Sequence, residues 1–315
     1  MVFLHPGGEA AKSLRVASAA YDFLAENGAT RDTYILALGG GVTGDLAGFV
    51  AATYMRGVPL VQIPTTLLAQ VDASVGGKVA VNHRLGKNLI GTFYQPLVCI
   101  VDPLVLRSLP EESYKEGLAE VVKYAVIEGD EFIDWLEGSA PRILRRDAFV
   151  LSEMVRRCCS IKARIVSMDE RDHGLRQWLN LGHTFAHAVE SVLGYAGTTH
   201  GYAVAVGLVW ACKLSEMAGI CVDRSLRGKV ERLLIEFGLP LDLEALLARR
   251  PGVPKGEELK RAILKAMALD KKARGGKVRF VLPRYAGRLE IAEDIDEDVV
   301  REAINAVAEA RTPDG

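Results

Sequence analysis

The chain has 315 residues and carries 39 lysine and arginine residues against 40 aspartate and glutamate residues. This balance gives no long-range field that would favour nucleic acid or an anionic membrane surface, so we expect neither as a partner. The length predicts two domains. The five cysteines show no C-x-x-C spacing, which predicts buried thiols and a reducing, cytoplasmic location. Since the sequence has no run of about 18 apolar residues, we expect no membrane span.

Apolar runs in the amino-terminal part, at 33–40, 59–66 and 97–103, predict strands buried on both faces of a sheet. Between the first two runs, the small apolar residues of 44–57 predict a helix packed on that sheet, and hence a βαβ unit. The segment 71–88 is rich in glycine and mixed in charge, so it predicts a structured loop. Residues 1–105 therefore predict an α/β domain.

Helical periodicity replaces the strand signals from residue 106 onward. It covers 111–127, 147–167, 179–194 and 201–219. Near the carboxyl end, 277–287 predicts a short hairpin strand, and 296–310 predicts a closing helix with acidic residues in its first turn. Residues 106–315 therefore predict a second, mostly α-helical domain.

A glycine-rich turn lies between the first predicted strand and its helix, where Gly39, Gly41 and Gly44 match G-x-G-x-x-G. Backbone amides at such a turn can hold a diphosphate. The match is incomplete, because the second strand ends in Pro-Thr-Thr where a dinucleotide site has an acidic residue. A tight turn without a ligand stays the alternative. The segment 71–88 carries polar side chains that are available to a ligand, namely Asp72, Lys78, Lys87 and Asn88. Its lysines suit a phosphate or a carboxylate. The alternative is a solvated surface loop without a ligand.

Two histidines, His183 and His187, lie four residues apart in an amphipathic run. A zinc protease would have H-E-x-x-H here, but Thr184 replaces its catalytic glutamate, which excludes that class. Asn180, His183, His187 and Glu190 share one helical face, as Glu116, Glu120 and Lys123 share another.

A glutamate with two histidines is a catalytic zinc set that leaves one position open. The third histidine of interest, His200, precedes another helix. Spacing leaves open whether His183 and His187 both bind the metal or one of them moves protons. The alternative for the three histidines is a purely structural role. The alternative for Glu116, Glu120 and Lys123 is an exposed stripe of salt bridges. Further cations are Lys162, Arg176, Lys271 and Lys272. Together with the glycine-rich nucleotide turn and the candidate metal ligands, they predict a small, multiply anionic substrate that is handled by redox chemistry.

Five ordered motifs, at 39–57, 63–82, 86–96, 117–127 and 179–190, closely resemble the 3-dehydroquinate synthase family along almost the whole chain. The resemblance implies a carbon–oxygen lyase of the shikimate pathway that uses NAD and a divalent metal, zinc or cobalt. Such an enzyme converts 3-deoxy-D-arabino-heptulosonate 7-phosphate into 3-dehydroquinate and phosphate, through transient oxidation, elimination, reduction and aldol cyclisation. The resemblance also implies a Rossmann-like NAD-binding domain at 1–105 and a helical metal- and substrate-binding domain at 106–315.

The motifs of the family assign roles residue by residue. The implied metal ligands are Glu120, His183 and His200, and His187 would handle protons. The implied substrate contacts are Asp72, Lys78, Asn88, Lys123, Lys162, Arg176, Asn180 and Lys271 or Lys272, with Arg56 reaching a neighbouring subunit in a homodimer. The implied dinucleotide contacts are Glu9, Lys12, Gly40, Gly41, Asp45, Thr65, Thr66, Lys78 and Lys87.

The sequence departs from the family in two places. Family members ordinarily carry a further segment before the one that matches 7–13, so we expect this chain to lack the first strands of its nucleotide sheet and to bind NAD more weakly. Tyr202 stands where the family has a glutamate, two residues after His200. The alternatives are a related sugar-phosphate cyclase, a metal-containing glycerol-type dehydrogenase that releases NADH, and a truncated paralogue without turnover.

Overall fold

The computed structural model describes residues 1–194, 198–248, 256–273 and 278–308, except the side chains of 269–273. The chain forms two compact units, one of Met1–Gly117 with Leu151–Arg171 and one of Leu118–Val150 with Asp172–Gly315. This division differs from the sequence-based boundary after residue 105. A methyl group added at Gly117 would lie 2.6 Å from Cβ of Leu67, so this glycine packs closely within the first unit.

The first unit contains a three-stranded parallel sheet and a hairpin. Its strands are β1 (Ile35–Gly39), β2 (Leu60–Pro64), β3 (Lys78–His83), β4 (Gly86–Phe93) and β5 (Val98–Cys99), and its helices α1 (Leu14–Glu26) and α2 (Gly41–Thr53). The sheet has the order β1-β2-β5, and β1 and β2 pair in parallel from Ile35 with Leu60 to Gly39 with Pro64. Because α2 connects these two strands, the predicted βαβ unit is present.

The core of the first unit lies between the sheet, α1 and α2. Leu46, Phe49 and Val50 of α2 pack with Val16 of α1 and Val81 of β3. These residues repeat at the spacing of a helix that buries one face, as the sequence predicts.

The prediction that all the sheet strands are buried on both faces is wrong for β1. Ala37 is buried, but Leu36 and Leu38 are 60% and 66% exposed. Side chains alternate between the faces of a strand, so only the face that carries Ala37 is covered within the described residues. A continuous apolar run shows that either face tolerates burial and does not show which face is covered.

The prediction of a loop at 71–88 is also wrong, because most of it belongs to the antiparallel hairpin of β3 and β4. Val79 and Val81 are buried on one face of β3. On β4, Gly91 lies so close to β3 that an added methyl group would come within 2.7 Å of Cβ of Ala80. An alternation of only two buried valines is too short to predict strand β3 from the sequence. Strand β4 was not predicted because its glycines lack the side chains that would show an alternating pattern.

The second unit is mostly helical. The chain continues through α3 (Glu111–Glu128), α4 (Asp130–Leu144), α5 (Ala148–Met168), α6 (His183–Val192), α7 (His200–Met217), α8 (Leu226–Glu236), α9 (Leu243–Leu247), α10 (Glu257–Ala273), strands β6 (Phe280–Tyr285) and β7 (Arg288–Ala292), and α11 (Glu297–Ala308). The first residues of α3 and most of α5 belong to the first unit. The predicted fold class, an α/β part followed by a mostly helical part, is confirmed.

Helix α7 lies at the centre of the second unit. Its residues from Gly201 to Cys212 are buried, and it packs against α6, α8, α9, α11 and β6. Gly207 brings α7 against the start of α6, because a methyl group there would lie 3.1 Å from the carbonyl carbon of Gly182 and closer still to its oxygen. Two glycines therefore set the distance between the two helices that carry the histidines. No helix of the described ranges is long and apolar enough to cross a membrane.

Candidate active site

Helix α3 supplies a buried acid and a buried base one turn apart. The side chain of Glu120 is fully buried and that of Lys123 is 1% exposed, and the two form an ion pair. A buried carboxylate needs positively charged or hydrogen-bonding neighbours, since its desolvation is costly. Lys123 supplies one such charge, on the face of α3 that the sequence spacing predicts.

His183 begins α6, directly after Gly182, whose φ of 76° is a left-handed conformation that favours glycine. Its Nδ1 lies 3.0 Å from the carbonyl oxygen of Leu181, and its Nε2 lies 3.5 Å from Oε1 of Glu120. Burial, together with the nearby charge of Lys123, lowers the pKa of His183 to about 3, although Glu120 opposes this shift. The imidazole is therefore neutral, which is the form that binds metal ions.

His200 begins α7 and lies between two carboxylates. Its Nε2 is 3.5 Å from Oε1 of Glu120, and its Nδ1 is 3.3 Å from Oε1 of Glu190. Burial alone would lower the pKa of His200, but hydrogen bonds to Glu120 and Glu190 outweigh it and raise the pKa to about 10. A positive charge is therefore stabilised at this position.

Glu120, His183 and His200 form a donor set whose ligand atoms all lie within 4.8 Å of one another. Tetrahedral zinc with bonds of about 2.0–2.1 Å requires ligand atoms roughly 3.3 Å apart. The two nitrogen–oxygen separations of 3.5 Å in this set fit that requirement. One buried carboxylate and two imidazoles are also the ligand types that zinc and cobalt accept. The residues therefore fit a divalent metal ion.

His187 follows His183 by one turn of α6 and is the exposed member of the cluster. Its ring centre lies 5.4 Å from that of His183 and 6.2 Å from that of His200. It also belongs to a second possible donor set, with Glu190 and His200. An exposed imidazole beside a metal position suits proton transfer, since a ring nitrogen can both accept and donate a proton.

The first unit carries the residues assigned to the dinucleotide. Gly40 caps α2 in an extended conformation and, as a glycine, has no side chain that could accept a hydrogen bond from the first amides of this helix. A methyl group at Gly40 would lie 3.1 Å from the side chain of Thr66, and the Thr65 amide donates to the Gly39 carbonyl at 2.9 Å. Backbone amides and the helix dipole favour an anion at such an end. The turn therefore fits the diphosphate of NAD.

A polar network adjoins this turn. The buried ammonium of Lys12 donates to Asp45 of α2 and to Asn88 of β4. Burial raises the pKa of Asp45, while Lys12 acts against that rise. Glu9 accepts a hydrogen bond from Asn82 at 2.7 Å. The structure thus joins three assigned dinucleotide contacts, Glu9, Lys12 and Asp45, to strands β3 and β4.

A second polar pair of the first unit links α5 to the π-helical turn Ala69–Ala73. Lys162, which is 7% exposed, donates to the Asp72 carboxylate at 2.9 Å and to the Asp72 carbonyl at 2.6 Å. Both were assigned to the substrate. The carboxylate and carbonyl hold the ammonium in one place, which is what recognition of a phosphate or carboxylate by a lysine requires.

The remaining assigned residues lie in several elements. Lys78 is exposed at the start of β3 and Lys87 lies in β4, while Arg56 is exposed after α2 with a φ of 68°. Arg176 and Asn180 belong to the 3-10 turn Leu175–Asn180, where Arg176 is buried. Lys271 and Lys272 fall among residues whose side chains lie outside the described part of the structure.

Sequence reasoning assigned no role to two polar residues. Glu190 shares a face with His183, but its contact with His200 depends on the packing of α6 on α7. Asn82 donates a hydrogen bond to Glu9 and accepts one from the backbone amide of Asn88 at 2.9 Å. The second contact depends on the β3–β4 hairpin, which the sequence did not predict. The signal for Glu190 was its spacing of seven residues from His183, on the face that also carries Asn180 and His187.

Tyr202, the departure next to His200, is 5% exposed on α7. The side chain of Tyr202 is therefore packed against the protein and shielded from solvent. The two carboxylates next to His200 in this structure come from Glu120 of α3 and Glu190 of α6.

Comparisons with known proteins identify the family of this chain. The family model for the 3-dehydroquinate synthase N-terminal part matches residues 2–116, and the model for the C-terminal part matches 117–273. A 3-dehydroquinate synthase of Desulforamulus reducens is 49% identical over 292 residues, which are 93% of this chain and 78% of the relative.

Solved structures of sugar-phosphate cyclases share the fold. The 2-epi-5-epi-valiolone synthase of Streptomyces hygroscopicus subsp. jinggangensis, with NAD⁺ and Zn²⁺ bound, matches with a TM-score of 0.84 and 28% identity over 96% of this chain and 81% of the other. A 2-deoxy-scyllo-inosose synthase complexed with carbaglucose-6-phosphate, NAD⁺ and Co²⁺ matches with a TM-score of 0.83 and 27% identity, over the same shares of the two chains. With both family models matched and a relative this similar over most of its length, the chain belongs to the 3-dehydroquinate synthase family.

Proposed function

We propose that the chain catalyses the 3-dehydroquinate synthase reaction, in which 3-deoxy-D-arabino-heptulosonate 7-phosphate loses phosphate and closes to 3-dehydroquinate. The observation that carries the proposal is the convergence of Glu120, His183 and His200 in a chain of this family. The identity of 49% to a synthase, against 27–28% to two other cyclases, favours this substrate over theirs.

The proposal places a divalent ion, zinc or cobalt, at Glu120, His183 and His200, and NAD at the turn before α2. When bound, the ion polarises a substrate oxygen and the nicotinamide accepts and later returns a hydride, which is chemistry that no side chain supplies. The Leu181 carbonyl accepts from the outer nitrogen of His183, so that Nε2 of this ring faces Glu120. The protein thereby orients this ligand before any ion arrives.

For the dinucleotide, the proposal assigns the diphosphate to the uncapped amides of α2 after Gly40 and Gly41. Lys12 neutralises Asp45 and fixes its carboxylate at the same helix. The other assigned contacts are Glu9, Thr65, Thr66, Lys78 and Lys87. Because an added methyl group at Gly40 would lie 3.1 Å from the side chain of Thr66, a larger residue at that glycine would have to displace this assigned dinucleotide contact.

His187 carries the proton transfers of the proposed reaction. Its imidazole is the exposed ring of the three, so it is the one that substrate and solvent reach most directly. The phosphate and carboxylate of the substrate require cations and hydrogen-bond donors. The proposal assigns them Lys78, Asn88, Lys123, Lys162, Arg176, Asn180 and Lys271 or Lys272, with Asp72 holding Lys162.

The proposal also includes a homodimer, in which the exposed Arg56 reaches the site of the other subunit, and a cytoplasmic location, which the five free thiols support. Light scattering of the purified chain measures the mass in solution. A monomer at all concentrations would contradict the homodimer and leave Arg56 without its assigned role.

Metal analysis tests the proposed metal position. We expect the purified chain to hold stoichiometric zinc, and Glu120→Ala and His183→Ala to lose zinc and activity together. Glu116→Ala is the matched control, because Glu116 lies one turn earlier on the same helix and outside the donor set. A Glu120→Ala variant that keeps stoichiometric zinc would refute the ligand assignment.

The fate of the cofactor separates the synthase from a glycerol-type dehydrogenase. A synthase returns the hydride within each turnover, so NADH absorbance does not accumulate at steady state. Steady accumulation of NADH with glycerol-like alcohols would identify a dehydrogenase instead. Calorimetric titration with NAD tests the third alternative, since a folded chain that binds no NAD would be a non-catalytic paralogue.

A further inference from the structure

Each of the two histidines assigned to the metal presents its Nε2 to the same oxygen. For both His183 and His200, Nε2 lies 3.5 Å from Oε1 of Glu120. The opposite nitrogen of each ring has a different acceptor, which is the Leu181 carbonyl for His183 and the Glu190 carboxylate for His200. A ring that binds a metal is neutral, and if its remaining proton stays on Nδ1 its lone pair is on Nε2, so these acceptors decide which nitrogen can bind a metal.

Glu190 is well placed to act as such an acceptor. It lies on α6, seven residues after His183, so two helical turns bring both side chains to one face. The residue is 4% exposed, and its Oε1 lies 3.3 Å from Nδ1 of His200. Burial of a glutamate is costly unless it makes specific polar contacts, and His200 supplies one. The contact links α6 to the first residue of α7.

We propose that Glu190 is the positioning residue of His200, whose Nδ1–H it accepts so that Nε2 faces Glu120 and His183. The inference rests on the metal position proposed above and adds a residue to which no role has been assigned. Carboxylates on the outer nitrogen of a metal-bound histidine fix the ring and its tautomer, and their loss typically weakens metal affinity about 10- to 100-fold.

An alternative role for Glu190 is that of a metal ligand, in a possible donor set with His187 and His200. The two roles are exclusive at Nδ1 of His200, since this nitrogen either donates its proton to Glu190 or binds an ion. The first role agrees better with burial, because Glu120 is fully buried with His183 nearby, whereas His187 is exposed. It also leaves His187 available for proton transfer.

Zinc affinity of the intact chain, measured by competition with a chromophoric chelator, tests the proposal. Glu190→Ala should weaken zinc binding about 10- to 100-fold while stoichiometric zinc is still bound at saturation. Glu190→Gln keeps an oxygen that accepts from Nδ1–H, so it should restore most of the affinity. Glu231→Ala is the matched control, because Glu231 is 6% exposed and pairs with Arg227 on α8. The control should lose stability without a change in zinc affinity.

Cobalt gives a second readout that a purely structural role would not change. The visible absorption of the Co²⁺-loaded chain reports the ligand field, so Glu190→Ala should alter its bands, and Glu190→Gln and Glu231→Ala should preserve them. If Glu190→Ala does not fold, the glutamine variant alone decides, with a loss of zinc affinity below about tenfold as the expected result.

Two results would overturn the inference. Loss of stoichiometric zinc in Glu190→Gln would make Glu190 a ligand, and wild-type affinity in Glu190→Ala would leave it no role at the site. Neither result is confused with failure of the proposed metal position, because that failure appears as zinc retained by Glu120→Ala.

Discussion

Gly207→Ala tests whether close packing at Gly207 sets the distance between helices α6 and α7. The new methyl group would lie 3.1 Å from the carbonyl carbon of Gly182, and closer to its oxygen. Carbon contacts rest at about 3.5 Å or more, so the α6 and α7 backbones must separate by roughly 0.4 Å or more. Overpacking of this kind costs about 1–3 kcal/mol, and the obstacle is backbone, which adjusts less than a side chain.

Helix propensity acts in the opposite direction, since alanine is favoured over glycine by about 1 kcal/mol inside a helix. Since the obstacle at Gly207 is backbone, the upper part of the overpacking range, about 2–3 kcal/mol, applies, and the net expectation is a fall of about 1–2 kcal/mol in the free energy of unfolding. Gly138→Ala is the matched control, because Gly138 lies inside α4 and an added methyl group there meets nothing within 4 Å. The control should raise the free energy of unfolding by up to about 1 kcal/mol.

Urea denaturation followed by circular dichroism measures both variants. Because Gly182 directly precedes His183, we also expect Gly207→Ala to bind zinc more weakly than Gly138→Ala does. The reasoning is refuted if Gly207→Ala is as stable as the wild type, or gains stability as the control does.

Three further predictions concern other parts of the chain. Lys78→Ala should chiefly raise the KM for the phosphorylated substrate while calorimetry finds NAD binding retained; equal loss of both would show that its role is misplaced. Arg156 and Arg157 lower the pKa of Glu153 from its usual 4.5 to about 2, so this carboxylate stabilises the fold above pH 4.5 and loses that effect as the pH falls towards 2. Glu153→Gln should therefore lower the free energy of unfolding at pH 7 by less than about 1 kcal/mol, and urea titrations should show the deficit shrinking below pH 4.5; a deficit independent of pH would contradict the ion pairs. Burial raises the pKa of Cys159 to about 11, so at pH 8 iodoacetamide should alkylate Cys159 far more slowly in the native chain than in urea, and equal rates by mass spectrometry would disprove its burial.

The fold was predictable where one periodicity ran for several turns. The amphipathic stripes of α3, α5 and α6 and the apolar α7 are long enough to exclude other structures. The β3–β4 hairpin was not predictable, because β3 shows only Val79 and Val81 as buried alternation and β4 replaces large residues by Gly91. The exposure of Leu36 and Leu38 was not predictable either, since an apolar run does not state what covers each face.

The candidate site divides in the same way. Spacing placed His183 and His187 on one face of a helix and singled out Glu120 and His200 as further candidates, and the resemblance assigned the ligand roles. The contact of Glu190 with His200 could not be obtained from spacing, because it joins two helices whose separation depends on Gly182 and Gly207. Contacts between elements follow from packing, and packing is a property of the folded chain.

Phosphate release by the purified 315-residue chain tests the central claim most directly. The chain is supplied with NAD, zinc and 3-deoxy-D-arabino-heptulosonate 7-phosphate, with and without a chelator. The account predicts chelator-sensitive phosphate release, equal formation of 3-dehydroquinate and no net NADH. Folded, zinc-loaded protein that releases no phosphate, or that accumulates NADH, would contradict it.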